Sequence, residues 1–504
     1  MITIIYSTHK DKEYNEKFKT HLLNSVGLSD VQILEYINHN QYSLAEVYNS
    51  GITESIFDIV VCCHNDIKLE NGWGIKLVEE FSKNPDYAII GKAGSCYMPQ
   101  SGVYWERMNQ TMVGQVWHHP IGNKKWLNNY SAKLPYLIPV VTIDGLFISF
   151  DKTKIKHRFD ESIGKFHFYD HGFTIPNYLD GVKIGVTSSF EITHESVGQP
   201  NEEFFFSKEK FVEKYSDKLP LDLKPSDVYV PFIKNDNIKI NEKVAVIIPT
   251  KGKLDLLFQC IESFYDHCDT KLYDIFIADT GSSEDEIKVI EEFVNEVTNV
   301  KLIKYDYYNF AKINNDVVRN HISKDYEFLL FCNNDIKLLN NVIYGMLKIM
   351  KEKNRVGTVG CRLHYEDNTI QHDGVIVTLS KNNELGVNHK NIQTYYPTQF
   401  GIDKVFGNTA GLMMIRKFTF EKCGYFNENY TTCFEDVELN TRCLLLGLDN
   451  YCDSDLVAHH FESQTRGKDV KNREGEFNDF SKILLPFLIK HINTIIKKIK
   501  IYRR

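Results

Sequence analysis

At 504 residues the chain is longer than one hydrophobic core usually supports, so two large domains are the starting expectation. Hydrophobic residues at 42% and aromatics at 13% exclude a disordered chain, and a net charge of −8 argues against a protein that coats nucleic acid. The 11 cysteines form no CxxC pair and no zinc-spaced Cys/His ladder, which predicts reduced core thiols in a cytosolic protein.

The sequence enters a strand at once ("MITIIYSTHK") with no basic leader, which predicts no export signal. Residues 134–150, "LPYLIPVVTIDGLFISF", hold two prolines and Asp144 and read as buried strands and a turn rather than a bilayer span. A short helix in "SKEKFVEKYSDK" precedes a polar, proline-containing boundary, roughly residues 200–243. Beyond it, "KVAVIIPTKGKLDLLFQCIESFYDHC" is strand, loop and helix, with Leu256, Leu257, Cys260, Ile261 and Phe264 at helical spacing. A strand ending in a polar loop ("YDIFIADTGSSEDE"), a helix through residues 291–297, the strand "VKLIKYD", a helix across "KINNDVVRNHI" and a strand ending in an acidic turn ("YEFLLFCNNDI") follow. This alternation predicts an α/β fold with right-handed crossovers and a mostly parallel sheet. Ligands bind beyond the C-terminal strand ends of such sheets, and those ends carry Thr250, Asp279 and Asp335.

The chain also repeats itself. "CHNDIKLENG" at residues 63–72 returns as "CNNDIKLLNN" at residues 332–341, so Asp66 falls opposite Asp335. "SLAEVYN" matches "NFAKINN", with Ala45 opposite Ala311; "DGLFIS" matches "AGLMMI", with Gly145 opposite Gly411. Asp170 falls opposite Asp436, and His194 opposite His460. Four of these pairs share one offset (311 − 45 = 411 − 145 = 436 − 170 = 460 − 194 = 266), which points to duplication.

Carboxylates placed after a hydrophobic strand suit Mg²⁺ or Mn²⁺ bridging a diphosphate, because these ions prefer oxygen ligands. "NND" alone is equally well a turn. Recurrence of Asp, Asp and His in both halves favours groups that converge, with Asp335 and His460, and Asp66 and His194, as metal ligands. Asp436 lies in "CFEDVELNTRC", where the acids occupy a helix start; capping and a general base at the mouth of the site are both open.

The ordered motifs "VAVIIPTKGK", "IADTGSSEDE", "YNFAKINN", "LLFCNNDI", "GNTAGLMMIRKFTFEKCGYFNE", "FEDVEL" and "HHFESQTRG" resemble bacterial glycosyltransferase family 2 enzymes with the GT-A fold, of the O-antigen and capsule type. The first half resembles the same fold more distantly. The resemblance implies two tandem, Rossmann-like GT-A domains at 1–199 and 244–470, a helix and linker at 200–243, and a basic tail at 471–504. It further implies inverting, metal-dependent transfer from a UDP- or dTDP-sugar to a glycan or lipid-linked glycan. Pro249, Thr250, Asp279 and Asn334 would contact the donor nucleotide, and Asp436 would deprotonate the acceptor, with Asp170 as its counterpart. Glu435, Gly411 and Arg466 would stand on the diphosphate or acceptor side.

Two departures stand out: Asn333 takes the first acidic place of the usual DxD, and the first half lacks the "DTGSS" loop, leaving Glu35 as the stand-in for Asp279. An accessory first half, a nucleotidyltransferase and a carbohydrate-binding scaffold are the competing readings. After Asp479 the chain carries no acids, and Ile492, Ile495, Ile496 and Ile499 share one helical stripe. That suits a helix lying on the cytoplasmic face of the inner membrane or one docked on the protein.

Overall fold

The strands Ile2–Thr8 and Lys243–Thr250 are almost wholly buried runs of apolar and β-branched residues, the signature of central parallel strands covered on both faces. In the computed structural model they are interior strands of the main sheets of two compact units, Met1–Ser226 and Asp227–Arg504. The structure describes every residue except 121, 199, 224–227, 235–239, 380–384, 431–432, 462–481, 483, 497–501 and 504.

In the C-terminal unit the ten-stranded sheet runs Val300–Lys304, Tyr273–Asp279, Lys243–Thr250, Tyr326–Cys332, Leu412–Arg416, Val356–His364, Asp449–His460, Ile336–Leu338, with Ile370–His372 paired to Val356–His364 and Ile402–Val405 to Asp449–His460 beside this path. The first four are mutually parallel; Leu412–Arg416 is antiparallel to both of its neighbours. Alternate residues of the central strand serve opposite faces. Val244, Val246 and Ile248 pack with Leu257, Ile261, Phe264 and Met346 on one side. Ala245 and Ile247 pack with Phe310, Val317, Phe420 and Leu439 on the other.

The N-terminal unit repeats this order in its seven-stranded sheet: Val31–Ile37, Ile2–Thr8, Ile59–Cys63, the antiparallel Phe147–Asp151, Tyr87–Gly91, Lys183–Val186 and Ile138–Pro139. Ile2, Ile4 and Tyr6 pack with Phe18, Leu22, Trp73 and Leu77. On the other face Gly51 of helix Leu44–Glu54 sits so close to Ile5 that an added Cβ would lie 2.6 Å from its Cδ1.

Strand registers fix which residues correspond. Ile5 pairs with Cys62 and Ile247 with Phe331, which sets Thr8 against Thr250 at an offset of 242. Ala45 against Ala311 has an offset of 266, so the N-terminal unit lacks 266 − 242 = 24 residues between these points. In the C-terminal unit that interval holds helix Glu284–Glu296 and edge strand Val300–Lys304.

Segment 200–243, read as helix and linker, partly packs on the N-terminal unit. In helix Glu202–Tyr215, Phe204, Phe211 and Tyr215 are buried with Met98, Tyr104 and Phe168, and Leu221–Asp222 pairs with Tyr97–Met98. At the other end of the chain, helix Leu485–Ile496 carries Pro486 in its first turn, where a missing N–H costs nothing. Leu484 and Leu488 are buried against Val437 and Leu444. The side chains of Ile492, Ile495 and Ile496, and Ile499 itself, lie outside the described residues. All 11 cysteines are free and ten are buried, as core thiols should be; Cys433 is half-buried. Among the described residues no helix is long and apolar enough to cross a membrane.

Candidate active sites

In the C-terminal unit the strand that follows Asp335 pairs antiparallel with the end of Asp449–His460, matching Ile336 with His460. This register brings together two residues more than a hundred positions apart: His460 Nε2 lies 3.1 Å from Asp335 Oδ1, both residues buried. Gln371 Oε1 accepts from His460 Nδ1 at 2.6 Å, which turns Nε2 toward the acid. Asn333 Nδ2 also faces Nε2, at 3.1 Å. Gly411 supplies its carbonyl to Asn333 N at 2.9 Å, and a Cβ there would meet His460 Cε1 at 3.4 Å, so Gly411 forms part of the wall.

The donor-side candidates gather at the neighbouring strand ends. Asn334 Nδ2 donates to Thr250 Oγ1 at 2.9 Å, and Pro249 stands one residue back, opposite Ala278. Asp279 is buried, and its Oδ1 accepts from Gly281 N at 3.0 Å and Ser282 N at 3.1 Å. Gly281 has φ +107°, a conformation that disfavours side chains, so the carboxylate and the glycine together shape the loop.

Asp436 is not the helix cap. Phe434 takes that place at φ 71°, and Asp436 sits in the first turn of Glu435–Leu445. Its Oδ2 accepts from Ala410 N at 3.0 Å and its Oδ1 from Val437 N at 2.6 Å, leaving each oxygen a further lone pair. Glu435 beside it is buried. Arg466 lies outside the described residues.

The N-terminal unit repeats this frame. Ile67 pairs with His194, in the register of Ile336 with His460. Phe168 takes the cap place at φ 60°, and Asp170 accepts from Gly145 N at 3.0 Å and His171 N at 2.9 Å. Asn65 Nδ2 donates to Thr8 Oγ1 at 2.8 Å, as Asn334 does to Thr250.

Two sequence expectations are corrected. Gly145 stands opposite Ala410, not Gly411: Phe147 pairs with Cys63 as Leu412 pairs with Cys332, and the Gly145 and Ala410 amides hold the two equivalent aspartates. The counterpart of Asp279 is Ile37, not Glu35, because Ile37 pairs with Thr8 as Asp279 pairs with Thr250. Glu35 lies two residues back, an exposed side chain bonded to the Tyr6 hydroxyl.

Sequence reasoning missed Gln371, Thr8 and Tyr169; His64 shows in the sequence as a departure, standing where Asn333 stands later, but not as a ligand. His64 Nδ1 is 3.9 Å and His194 Nε2 3.4 Å from Asp66 Oδ1, and the ligand atoms of all three residues lie within 4.8 Å of one another. Among the described residues this is the one His/Cys/Asp/Glu group so disposed. Burial opposes ionisation of Asp66, but its contacts with His194 and His64 outweigh it and hold the carboxyl well below its usual range. For His194 the same contact with Asp66 overcomes burial and raises its pKa, whereas burial and the nearby His194 lower that of His64. Asp66 Oδ1 is buried without a well-formed hydrogen bond, an orphaned acceptor that a divalent cation would satisfy.

Comparison with known families agrees with the repeated frame. Residues 3–215 match the model of a glycosyltransferase-like family, and residues 245–424 match that of glycosyl transferase family 2. The chain thus carries two glycosyltransferase-type domains in tandem, the second of them matching family 2. The chain is 28% identical over 233 residues to the O-antigen biosynthesis protein RfbC of Myxococcus xanthus. It is 25% identical over 242 residues to the uncharacterized protein y4gI of Sinorhizobium fredii. These matches cover 45% and 46% of the chain but only 18% and 26% of the relatives, so it spans a minor part of their length. Among solved structures, GalNAc-T7 with UDP, GalNAc and Mn²⁺ superposes at a TM-score of 0.37 with 14% identity, covering 45% of this chain and 44% of that one. The mannosyltransferase PcManGT of Pyrobaculum calidifontis, with GDP-Man and Mn²⁺, superposes at 0.36 with 12% identity, covering 54% and 69%. Superpositions this loose support no transfer of residue roles.

Proposed function

We propose that each unit of the tandem glycosyltransferase moves a sugar from a nucleoside-diphosphate donor, UDP- or dTDP-linked, to a hydroxyl of a growing surface glycan or lipid-linked glycan, with inversion. The observation that carries this reading is the shared frame: in both units one register sets an acid against a histidine, and one helix start holds a second aspartate by two backbone amides. Asp436 takes the acceptor proton as the acceptor oxygen attacks the anomeric carbon, the bond from that carbon to the diphosphate oxygen breaks, and the nucleoside diphosphate departs. Asp170 does the same in its own unit.

Asp335 and His460, and Asp66 and His194, would hold a divalent ion, Mn²⁺ or Mg²⁺, whose charge offsets that of the leaving diphosphate. Asp279 keeps the Gly281–Ser282 loop in shape for the nucleotide, and Pro249, Thr250 and Asn334 line the strand ends beside it. In this reading the protein works in the cytoplasm, with its basic tail at the inner-membrane surface. Flotation with anionic liposomes of the full chain against a truncation after Asp479 tests the tail, and equal flotation would overturn that part.

A second reading has one observation behind it: Ile37 replaces Asp279, so the N-terminal unit could position acceptor without turning over donor. Nucleotide release from a panel of UDP- and dTDP-sugars with acceptor, in Mn²⁺ or EDTA, tests the function. Release that requires Mn²⁺ and acceptor is the expected result; none with any donor would overturn it in favour of a scaffold.

A further inference from the structure

Three positions around the metal frame differ between the units, and they differ together. The C-terminal unit has Asn333, Ala410 and Glu435; the equivalent places in the N-terminal unit hold His64, Gly145 and Tyr169. His64 Nε2 and Tyr169 Oη are 2.8 Å apart. A Cβ on Gly145 would lie 2.2 Å from that same oxygen, so the alanine of the C-terminal unit has no room here. The tyrosine, its missing neighbour and the histidine form one fitted set.

The set has a chemical consequence. With Tyr169 Oη accepting from Nε2–H, the lone pair of His64 rests on Nδ1, the atom facing Asp66. A ligating histidine ordinarily has its other ring nitrogen oriented in this way by a neighbouring acceptor. In the C-terminal unit the equivalent side chain is an amide whose Nδ2 faces His460 Nε2 at 3.1 Å, as Ser196 Oγ faces His194 Nε2 at 3.1 Å in the N-terminal unit, so it adds no imidazole ligand of its own. Bonds of about 2.0–2.2 Å place two ligands of one ion at most about 4 Å apart. The 3.4 and 3.9 Å separations from Asp66 Oδ1 meet that limit before any ion draws the ligands in.

We propose that His64 is a third protein ligand, so that His64, Asp66 and His194 bind one divalent transition metal ion without nucleotide, whereas the Asp335–His460 pair needs the donor diphosphate to complete its ion's shell. The proposal rests on the metal reading of the N-terminal site given above. Two imidazoles beside one carboxylate suit a first-row transition ion, which accepts nitrogen ligands as well as oxygen, better than Mg²⁺, which keeps to oxygen. Tyr169 is a positioning residue in this scheme.

The test is Mn²⁺ alone, titrated into the full chain without nucleotide, with free Mn²⁺ read by electron paramagnetic resonance and heat by calorimetry. The expected result is one ion per chain, not displaced by equimolar Mg²⁺. His64→Asn should weaken it by at least about 10-fold, Tyr169→Phe by about 10-fold, and Asp335→Ala not at all. Circular dichroism and thermal melts check that the variants fold, and Tyr169→Phe, which keeps the ring packing, serves should His64→Asn not fold. Equal affinity in His64→Asn and the unmodified chain, loss of the ion in Asp335→Ala, or no nucleotide-free ion would overturn the proposal. Failure of sugar transfer with the ion still bound would overturn the proposed function and leave this inference standing.

Discussion

The two units keep the same groups at the ends of their paired strands and diverge in the loops beside them. Where strand register dictates placement, the groups persist: Asp66 with His194 repeats Asp335 with His460, and Asp170 repeats Asp436 to the individual backbone amides. Where loops dictate placement, they do not. The C-terminal unit presents Asp279 in a folded loop, followed by a helix and an edge strand; the N-terminal unit presents Ile37 and then turns directly toward helix Leu44–Glu54. Sheet register resists change because a one-residue slip would turn every side chain to the opposite face. A surface loop carries no such penalty, so donor recognition is the part free to differ between copies.

The largest expected effect comes from the base. Asp436→Asn should lower transfer by the C-terminal unit about 10²–10⁴-fold while the fold, by circular dichroism, stays intact; a loss under 10-fold would remove Asp436 from proton transfer. Next is the orientation of His460. Gln371→Ala should raise the Mn²⁺ concentration for half-activation of the C-terminal transfer about 10–100-fold and leave N-terminal transfer unchanged, so a shift in both would show that the units are not independent.

Asp279→Ala should raise the donor KM of the C-terminal step about 10-fold, the scale of leaving the Gly281 and Ser282 amides without their acceptor. Ile37→Asp should change stability by no more than about 0.5 kcal/mol, because the isoleucine is 63% exposed. It should not bring the N-terminal donor preference to that of its partner unit, because the flanking loop is absent; a matched preference would mean that one carboxylate decides it.

A last contrast separates the units by pH. Lys92, fully buried with its ammonium on the Thr187 and Phe190 carbonyls, stands where the C-terminal unit has Cys361, and burial lowers its pKa from 10.5 to about 7. Between those values the unfolded chain holds the proton and the native chain does not, so this contribution makes stability rise with pH from about 7 to 10.5 and fall as pH drops through 7. Lys92→Met should flatten the rise in melting temperature over that window, and an unchanged slope would contradict the burial argument.

Much of this was legible in the sequence. The buried strands announced themselves by apolar runs, and the repeated Asp, Asp and His could be matched because their spacing is nearly kept, 170 − 66 = 104 against 436 − 335 = 101 residues between the aspartates and 194 − 170 = 460 − 436 = 24 in both units from the second Asp to the His. Similar words misled where register matters more than resemblance: "DGL" and "AGL" align by eye, yet hydrogen bonding sets Gly145 against Ala410. Glu35 attracted notice as an acid near a strand end, but pairing placed it two residues too early and gave its carboxylate to Tyr6. Gln371 left no local signal, since it meets His460 only across the sheet, and His64 was legible as a departure whose meaning depended on Tyr169 and Gly145.

The central claim, that each unit carries its own transfer step, is tested most directly by mass analysis of products made from mixed donors by the full chain, by Asp170→Asn and by Asp436→Asn. Two active sites predict that each variant stops at a different glycan, one lacking the first added sugar and the other the second. Identical products from Asp170→Asn and the unmodified chain, at equal rates, would contradict it.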